Sequence, residues 1–240
     1  MALRLFPFRQ YSDHNVINMF ANQTVDDNPS TNGNGSAGVI VKVFTDGGVP
    51  GGSITKDVIE FASSSSYLGK TDYPFLGADK YPQVPLRVGA ATTGVPVLGV
   101  TLNQTISNDE NGEKLLYNPV KKDELQAVLS GQAVPVATKG LFTFAAGGAT
   151  STFSAFGNNT TTVPGNLAVI DSSNDGKMVG VTPEVVDSPN SPAYRVVGQI
   201  IATGERTSQI GQADYFAGTG TAGYAMVQLD AAASWSAHGN

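Results

Sequence analysis

The chain has 240 residues, 40% of them hydrophobic, with 28 Gly, 13 Pro, only 14% charged residues and no Cys. Gly and Pro together take about one position in six against an average near one in eight, and that excess belongs in turns and loops, which argues against a long-helix protein. A net charge of −6 repels phosphate backbones and sets nucleic acid aside as a partner, and the lack of Cys excludes thiolate catalysis, Cys-type zinc sites and disulfide staples.

The first ten residues carry Arg4 and Arg9 and no uninterrupted apolar run, so no secretory leader is expected. No apolar stretch is long enough for a membrane-spanning helix, and a membrane is not an expected partner. Residues 1–21 alternate apolar and polar side chains around Leu3, Leu5, Phe6 and Phe8. Ser12 or Asp13 then offers a cap for one or two helical turns with Val16, Ile17 and Phe20 on one face. Two readings stay open: an edge strand and short helix on the local core, or an arm that docks its aromatics on a neighbouring subunit. Residues 22–36 are almost all turn formers and bury too little apolar area to order themselves, which makes them a linker or a loop held by a partner.

From Gly38 the pattern turns to β. Residues 39–44 are rich in β-branched side chains and end in a Gly-containing turn at 45–48, and 53–61 is a further short β-like run. Pro74, Pro82 and Pro85 break residues 63–85 into extended loop. Strands are expected over 86–88, 95–102, 134–138, 140–144, 167–170, 177–182, 194–203 and 224–229, each bounded by Gly, Asn, Asp, Ser or Pro. One short helix is expected: Asn118 and Pro119 open it, 121–129 contains no breaker, and Ser130 with Gly131 stops it. Leu125, Val128 and Leu129 would form its buried stripe. No internal repeat points to a solenoid or propeller. The class is therefore all-β, a barrel or sandwich with long loops, divided into an arm and linker at 1–36, a β domain at 37–230 and a tail at 231–240.

Motifs for chemistry are few. Gly33–Gly38 and Gly218–Gly223 match the dinucleotide fingerprint by letter, but strand patterns follow both where a helix is required, so no cofactor is expected. Asp171-Ser-Ser-Asn-Asp-Gly176 resembles the first half of a calcium loop, yet Thr182 stands where the bidentate Glu belongs. An Asp-Gly hairpin turn explains the same residues, and 108–112 is a polar turn of the same kind. The two histidines, His14 and His238, sit in no catalytic or metal pattern, and no nucleophile elbow occurs. Glu60, Asp123, Glu124, Glu184, Asp187 and Asp214 are the acids from which a glycosidase pair could be drawn, though scattered acids are commonly surface charges. No catalytic residue and no metal ligand is assigned.

A series of short signatures carries a resemblance. Gly94-Val-Pro-Val-Leu-Gly-Val-Thr-Leu102, Leu129-Ser-Gly-Gln-Ala-Val-Pro-Val-Ala-Thr-Lys-Gly-Leu-Phe142, Pro164-Gly-Asn-Leu-Ala-Val-Ile-Asp171, Val196-Val-Gly-Gln-Ile-Ile-Ala-Thr-Gly204 and Ala225-Met-Val-Gln-Leu-Asp230 follow one another in order. This order resembles that of tailed-bacteriophage head decoration (capsid cement) proteins, over roughly residues 86–230. The stretch from Phe6 to Phe20 also looks like the start of virion structural proteins of marine and cyanobacterial myophages. The resemblance implies a small β-barrel or β-tulip and a non-enzymatic protein, commonly a homotrimer, on the outside of the expanded head, bridging copies of the major capsid protein. It would be assembled in the host cytoplasm, which suits a chain without Cys. Leu5, Phe6, Phe8, Tyr11 and Phe20 are the candidate capsid or subunit anchors, because buried aromatics dominate interface energetics. The alternative is a β-rich tail or fibre adhesin that binds host glycans. Such a protein needs an aromatic sugar platform, and the only Trp is Trp235 in the tail-like end.

Overall fold

In the computed structural model the described residues are 4–21, 25, 35–43, 87–106, 108, 109, 111–129, 133–146, 154–158, 161–186, 195–204 and 223–231. Their first strands are β1 (Leu5–Gln10), β2 (Val16–Ala21), β3 (Ile40–Val43), β4 (Arg87–Ala90), β5 (Gly99–Thr101), β6 (Gln104–Thr105) and β7 (Ala127–Val128). Then follow β8 (Ala133–Ala137), β9 (Lys139–Ala145), β10 (Phe156–Asn158), β11 (Leu167–Ile170), β12 (Met178–Val181), β13 (Val196–Gly204) and β14 (Tyr224–Asp230). Two short α-helices, α1 (Pro119–Glu124) and α2 (Pro183–Val186), and two 3-10 turns, Asp13–Asn15 and Leu115–Tyr117, lie among the described residues, and none is long or apolar enough to cross a membrane. The mainly β class expected from the sequence is what the chain forms. The run at 53–61, the loop at 63–85 and the tail from 232 lie outside the described residues.

Seven strands make one sheet in the order β1-β9-β14-β13-β11-β12-β10, and β2-β4-β3-β5-β8 pair round in a closed ring of five. The two share a seam. β1 runs antiparallel to β9, and β2 antiparallel to β8, so residues 5–21 and 133–145 form one bent ribbon that leaves the sheet and enters the ring. The bend is fixed at Asn15, whose carbonyl accepts from both the Thr138 backbone N–H at 2.8 Å and its hydroxyl at 3.0 Å. The described part of the segment read as an arm is thus built into both sheets. The helical turns expected after Ser12 shrink to a single 3-10 turn at Asp13–Asn15, which Ser12 caps by accepting from the His14 N–H at 3.4 Å. Val16, Ile17 and Phe20 continue as strand because β-branched and aromatic residues favour the ladder offered by β8.

Alternation with period two sorts the side chains. On β14, Ala225, Val227 and Leu229 are fully buried, and they meet Phe142 and Phe144 of β9, Ile200 of β13 and Met178 of β12 on one face of the sheet. Ile40, Val100 and Ala137 of the ring pack on that same face. Val41, Val88, Val134 and Val136 turn the other way and fill the ring with Met19 and Val39. β3 therefore buries Ile40 on one side and Val41 on the other. A third, smaller cluster joins Ile106, Leu115, Ala127 and Leu129.

The expected helix over 121–129 stops early. Leu125 caps α1, Gln126 takes a left-handed φ of 47°, and β7 then pairs parallel with β6. Burial of Ala127, Val128 and Leu129, the first and last of them in the third cluster, outweighs their helix propensity, which is a weak term when tertiary packing opposes it. The strand expected at 95–102 also begins late, at Gly99, since Val95 is turned back to the Thr92 carbonyl.

The sheet is joined to the ring by the turn between β11 and β12. Gly176 N–H donates to the Ala91 carbonyl at 2.9 Å, and the Ile40 N–H donates to the Gly176 carbonyl at 3.1 Å. The turn is the hairpin expected from Asp-Gly, with Leu167 opposite Val181 and Ile170 opposite Met178. Beside it lie two buried cations, Arg4 and Lys177. Burial pulls the Arg4 guanidinium down to about 10. Burial also holds the Lys177 ammonium below its ordinary value, Arg4 lowers it further, and Asp171 opposes the shift. A cation whose folded pKa is lowered destabilises fully below that lowered value, and the penalty is relieved as pH climbs from it toward 10.5. Urea unfolding should therefore show wild type gaining on Lys177→Met as pH rises through that window. A pH-independent difference would contradict the assignment.

Candidate functional site

The seven-stranded sheet turns its second face outward, and its β1 edge is deformed there. Between the pair Leu5–Phe144 and the pair Arg9–Phe142, three residues of β1 stand opposite the single residue Thr143. Such an excess bends the strand away from its partner. Pro7, at the centre of the excess, has no N–H to lose from the ladder, which suits an edge strand. Arg9 pins the far end of the bulge, donating to the Leu102 carbonyl at 3.0 Å and to Gln126 Oε1 at 3.1 Å.

The bulge leaves a groove of about 440 Å³ lined by Phe6, Pro7 and Phe8 of β1, Thr143 of β9, and Tyr224 and Met226 of β14. Met226 lies directly across from Thr143, so the outward positions of three strands meet in one place. Among the described residues none that lines it is charged. Thr143 on this lining is only 7% exposed, and its hydroxyl is shut off from solvent without a hydrogen-bond partner. Thr93 and Thr105 also hold buried hydroxyls of this kind, but Thr143 is the one that lines the groove. An unsatisfied buried hydroxyl destabilises by about 1–3 kcal/mol, and in a native fold it asks for an explanation.

The anchors expected from the sequence separate. Leu5 is buried at 1% exposure and belongs to the core, which removes it from any contact surface. Phe6 and Phe8 come together in the groove, and Phe8 is 54% exposed. Tyr11 lies flat on Phe142 with ring centroids 5.8 Å apart and an interplanar angle of 17°, leaving one side to solvent. Phe20 is a β2 residue paired with Ala133 and Arg87, and its side chain lies outside the described residues. Sequence reasoning missed Thr143, Tyr224 and Met226. Their signal was the outward register of β9 and β14, alternate to the apolar Phe142, Phe144, Ala225 and Val227.

The other motifs are used locally. Asp171 Oδ1 accepts from the Ser173 N–H at 2.9 Å and Oδ2 from Asn174 Nδ2 at 2.7 Å, so the calcium-like residues close their own turn. Asp109 Oδ1 does the same in the other polar turn, accepting from the Asn111 and Glu113 N–H groups. The first fingerprint runs from Gly35 and Gly38 into β3, and the second from Gly223 into β14, so each precedes a strand. Asp123, Glu124 and Glu184 are exposed on α1 and α2, and His14 is exposed in its turn. Glu60, Asp187, Asp214, Trp235 and His238 lie outside the described residues. Among the described residues no three His, Asp or Glu side chains gather as a metal site would require.

Fold and groove together define a mainly β protein with an apolar groove on the outer face of its larger sheet. No protein-family model, no curated protein and no solved structure matches the chain.

Proposed function

We propose that the chain is a non-enzymatic virion structural protein that decorates the exterior of a phage capsid and stabilises it by bridging major capsid protein subunits. The observation that carries this reading is the groove, an apolar contact surface on a sheet whose opposite face is committed to the core. A surface fixed in this way meets a partner with little ordering cost. Support also comes from the signature segments that resemble head decoration proteins: they run through β5, β8 and β9, β11, β13 and β14 in turn. Cementing then means removing apolar area from water across a subunit junction, at about 25 cal/mol per Å². Internal pressure from packaged DNA has to break those contacts before subunits part. An uncharged contact also keeps its strength when salt changes. A homotrimer is part of the proposal, and sedimentation equilibrium of the free protein would establish it.

The test is to mix purified protein with undecorated expanded heads of the phage that encodes it and to pellet the heads. Wild type should sediment with them at a fixed ratio to the major capsid protein. Phe8→Asp, placed on the exposed wall of the groove, should weaken binding by about tenfold or more. Deleting residues 1–21 is not informative here, because it removes β1 and β2 from the two sheets. Wild-type protein that stays in the supernatant would overturn the reading. Labelling confined to the tail of native particles would favour the adhesin instead.

A further inference from the structure

An asparagine followed by glycine can be attacked by its own backbone with little hindrance, because glycine leaves the attacking nitrogen uncovered and the chain free to turn. Among the described asparagines only Asn111 precedes a glycine. The others are followed by residues with side chains, and Asn118 by Pro119, which has no N–H to give up. We propose that Asn111 is a self-modification site, in the exposed turn between the bridge partners Asn108 and Lys114, at which the Gly112 nitrogen converts the side-chain amide to a carboxylate. This site goes beyond the decoration reading and does not depend on it.

Asn111 and Gly112 are both exposed, and a Cβ placed on Gly112 would find nothing within 4 Å, so the ring that forms has room. Other asparagines commit their side chains: Asn166 and Asn174 donate from Nδ2 to the Thr161 carbonyl and to Asp171, and Asn118 Oδ1 accepts from the Lys121 N–H. The Asn111 amide has no such tie among the described residues. In the reaction the Gly112 nitrogen attacks Asn111 Cγ and gives its proton to solvent. The amide nitrogen takes up a proton and leaves as ammonia, closing a five-membered imide. Water then opens the ring at one carbonyl or the other, giving aspartate or an isoaspartate whose main chain is longer by one carbon. Nothing is oxidised or reduced, and water is the co-reactant. Asp109 restrains the first step. Its carbonyl accepts from the Gly112 N–H at 3.1 Å, and its Oδ1 accepts from the Asn111 and Glu113 N–H groups at 2.9 and 2.8 Å. The attacking nitrogen has to leave that turn, so local opening sets the rate. The product adds a negative charge beside Asp109 and Glu113, and an isoaspartate lengthens the segment that the Asn108–Lys114 bridge closes.

The experiment holds the folded full-length protein at mildly alkaline pH and samples it by tryptic peptide mapping, in which residues 88–114 form one peptide. Fragmentation should place a gain of about 1 Da on Asn111, ahead of Asn103 and Asn108 in the same peptide, and the native protein should become one charge more acidic. Gly112→Ala, which covers the attacking nitrogen, should convert more slowly by roughly tenfold. Asp109→Ala, which frees the turn, should convert about threefold faster, and wild type unfolded in urea faster still. Unchanged Asn111 in the native protein after the urea-unfolded chain has fully converted would overturn the inference, as would equal rates in wild type and Gly112→Ala. An Asp109→Ala rate equal to that of wild type would overturn the restraint assigned to Asp109.

Discussion

Replacing Phe142 by alanine should lower the unfolding free energy by about 3–5 kcal/mol, the range for deleting a fully buried aromatic ring. Phe142 is completely buried at the centre of β9. Its ring carries Tyr11 stacked on one side and Phe144 at a centroid distance of 6.2 Å on the other. Three neighbours cannot close the space together. β1 sits outside β9, β14 is tied to β9 by a seven-residue register, and the core face below is already filled by Val227 and Ile200. The cavity therefore persists, and its cost adds to the lost transfer energy. Phe142→Leu keeps most of the volume and should lose only about 1 kcal/mol. Guanidinium unfolding measures both, and the midpoint should fall with an unchanged slope. A loss below 1 kcal/mol for Phe142→Ala would mean that the sheet repacks around the hole. The groove would then stand on a pliable floor, since Thr143 is the next residue of the same strand.

How far the sequence foretold this arrangement depends on the range of the interactions involved. Local chemistry was readable. Asp175 and Gly176 announced the hairpin between β11 and β12, and the alternation in 224–229 announced a half-buried strand. What failed was decided by distant partners. Leu125, Val128 and Leu129 fit a helical stripe by spacing, but Gln104 and Thr105 supply a strand for Ala127 and Val128 to pair with, and Ile106 and Leu115 take the side chains of Ala127 and Leu129. Val16 and Ile17 follow a helix-cap pattern, but β8 lies 120 positions away and captures them in a ladder. The N-terminal segment stood between an edge strand and a docking arm, and nothing local shows that β9 receives it as an edge. The groove was half legible: Phe6 and Phe8 stood out as aromatics, whereas Thr143, Tyr224 and Met226 are ordinary until β1, β9 and β14 are known to be neighbours.

Gly176→Ala should be the most damaging single-methyl change at the joint between sheet and ring, with an expected loss of about 3–5 kcal/mol. Two terms combine. The residue has φ of +71°, a region that a side chain enters only with strain. An added Cβ would also lie 2.7 Å from Val39 Cγ1 and 3.3 Å from Ala90 Cβ. Retreat is blocked, because the same residue's N–H and carbonyl are both committed to the ring through Ala91 and Ile40. Gly112→Ala provides the comparison. It shares the left-handed backbone with φ of +83°, but nothing lies within 4 Å of its added Cβ, so only the conformational term remains, about 1–2 kcal/mol. The excess of the first loss over the second measures the clash. Hydrogen exchange at the Ile40 amide should accelerate in Gly176→Ala and stay at its wild-type rate in Gly112→Ala. Equal losses in the two variants would show that the joint yields. That outcome bears on the proposed decoration role, since a protein in that role would transmit load from one partner to the next only as firmly as its own sheets are held together.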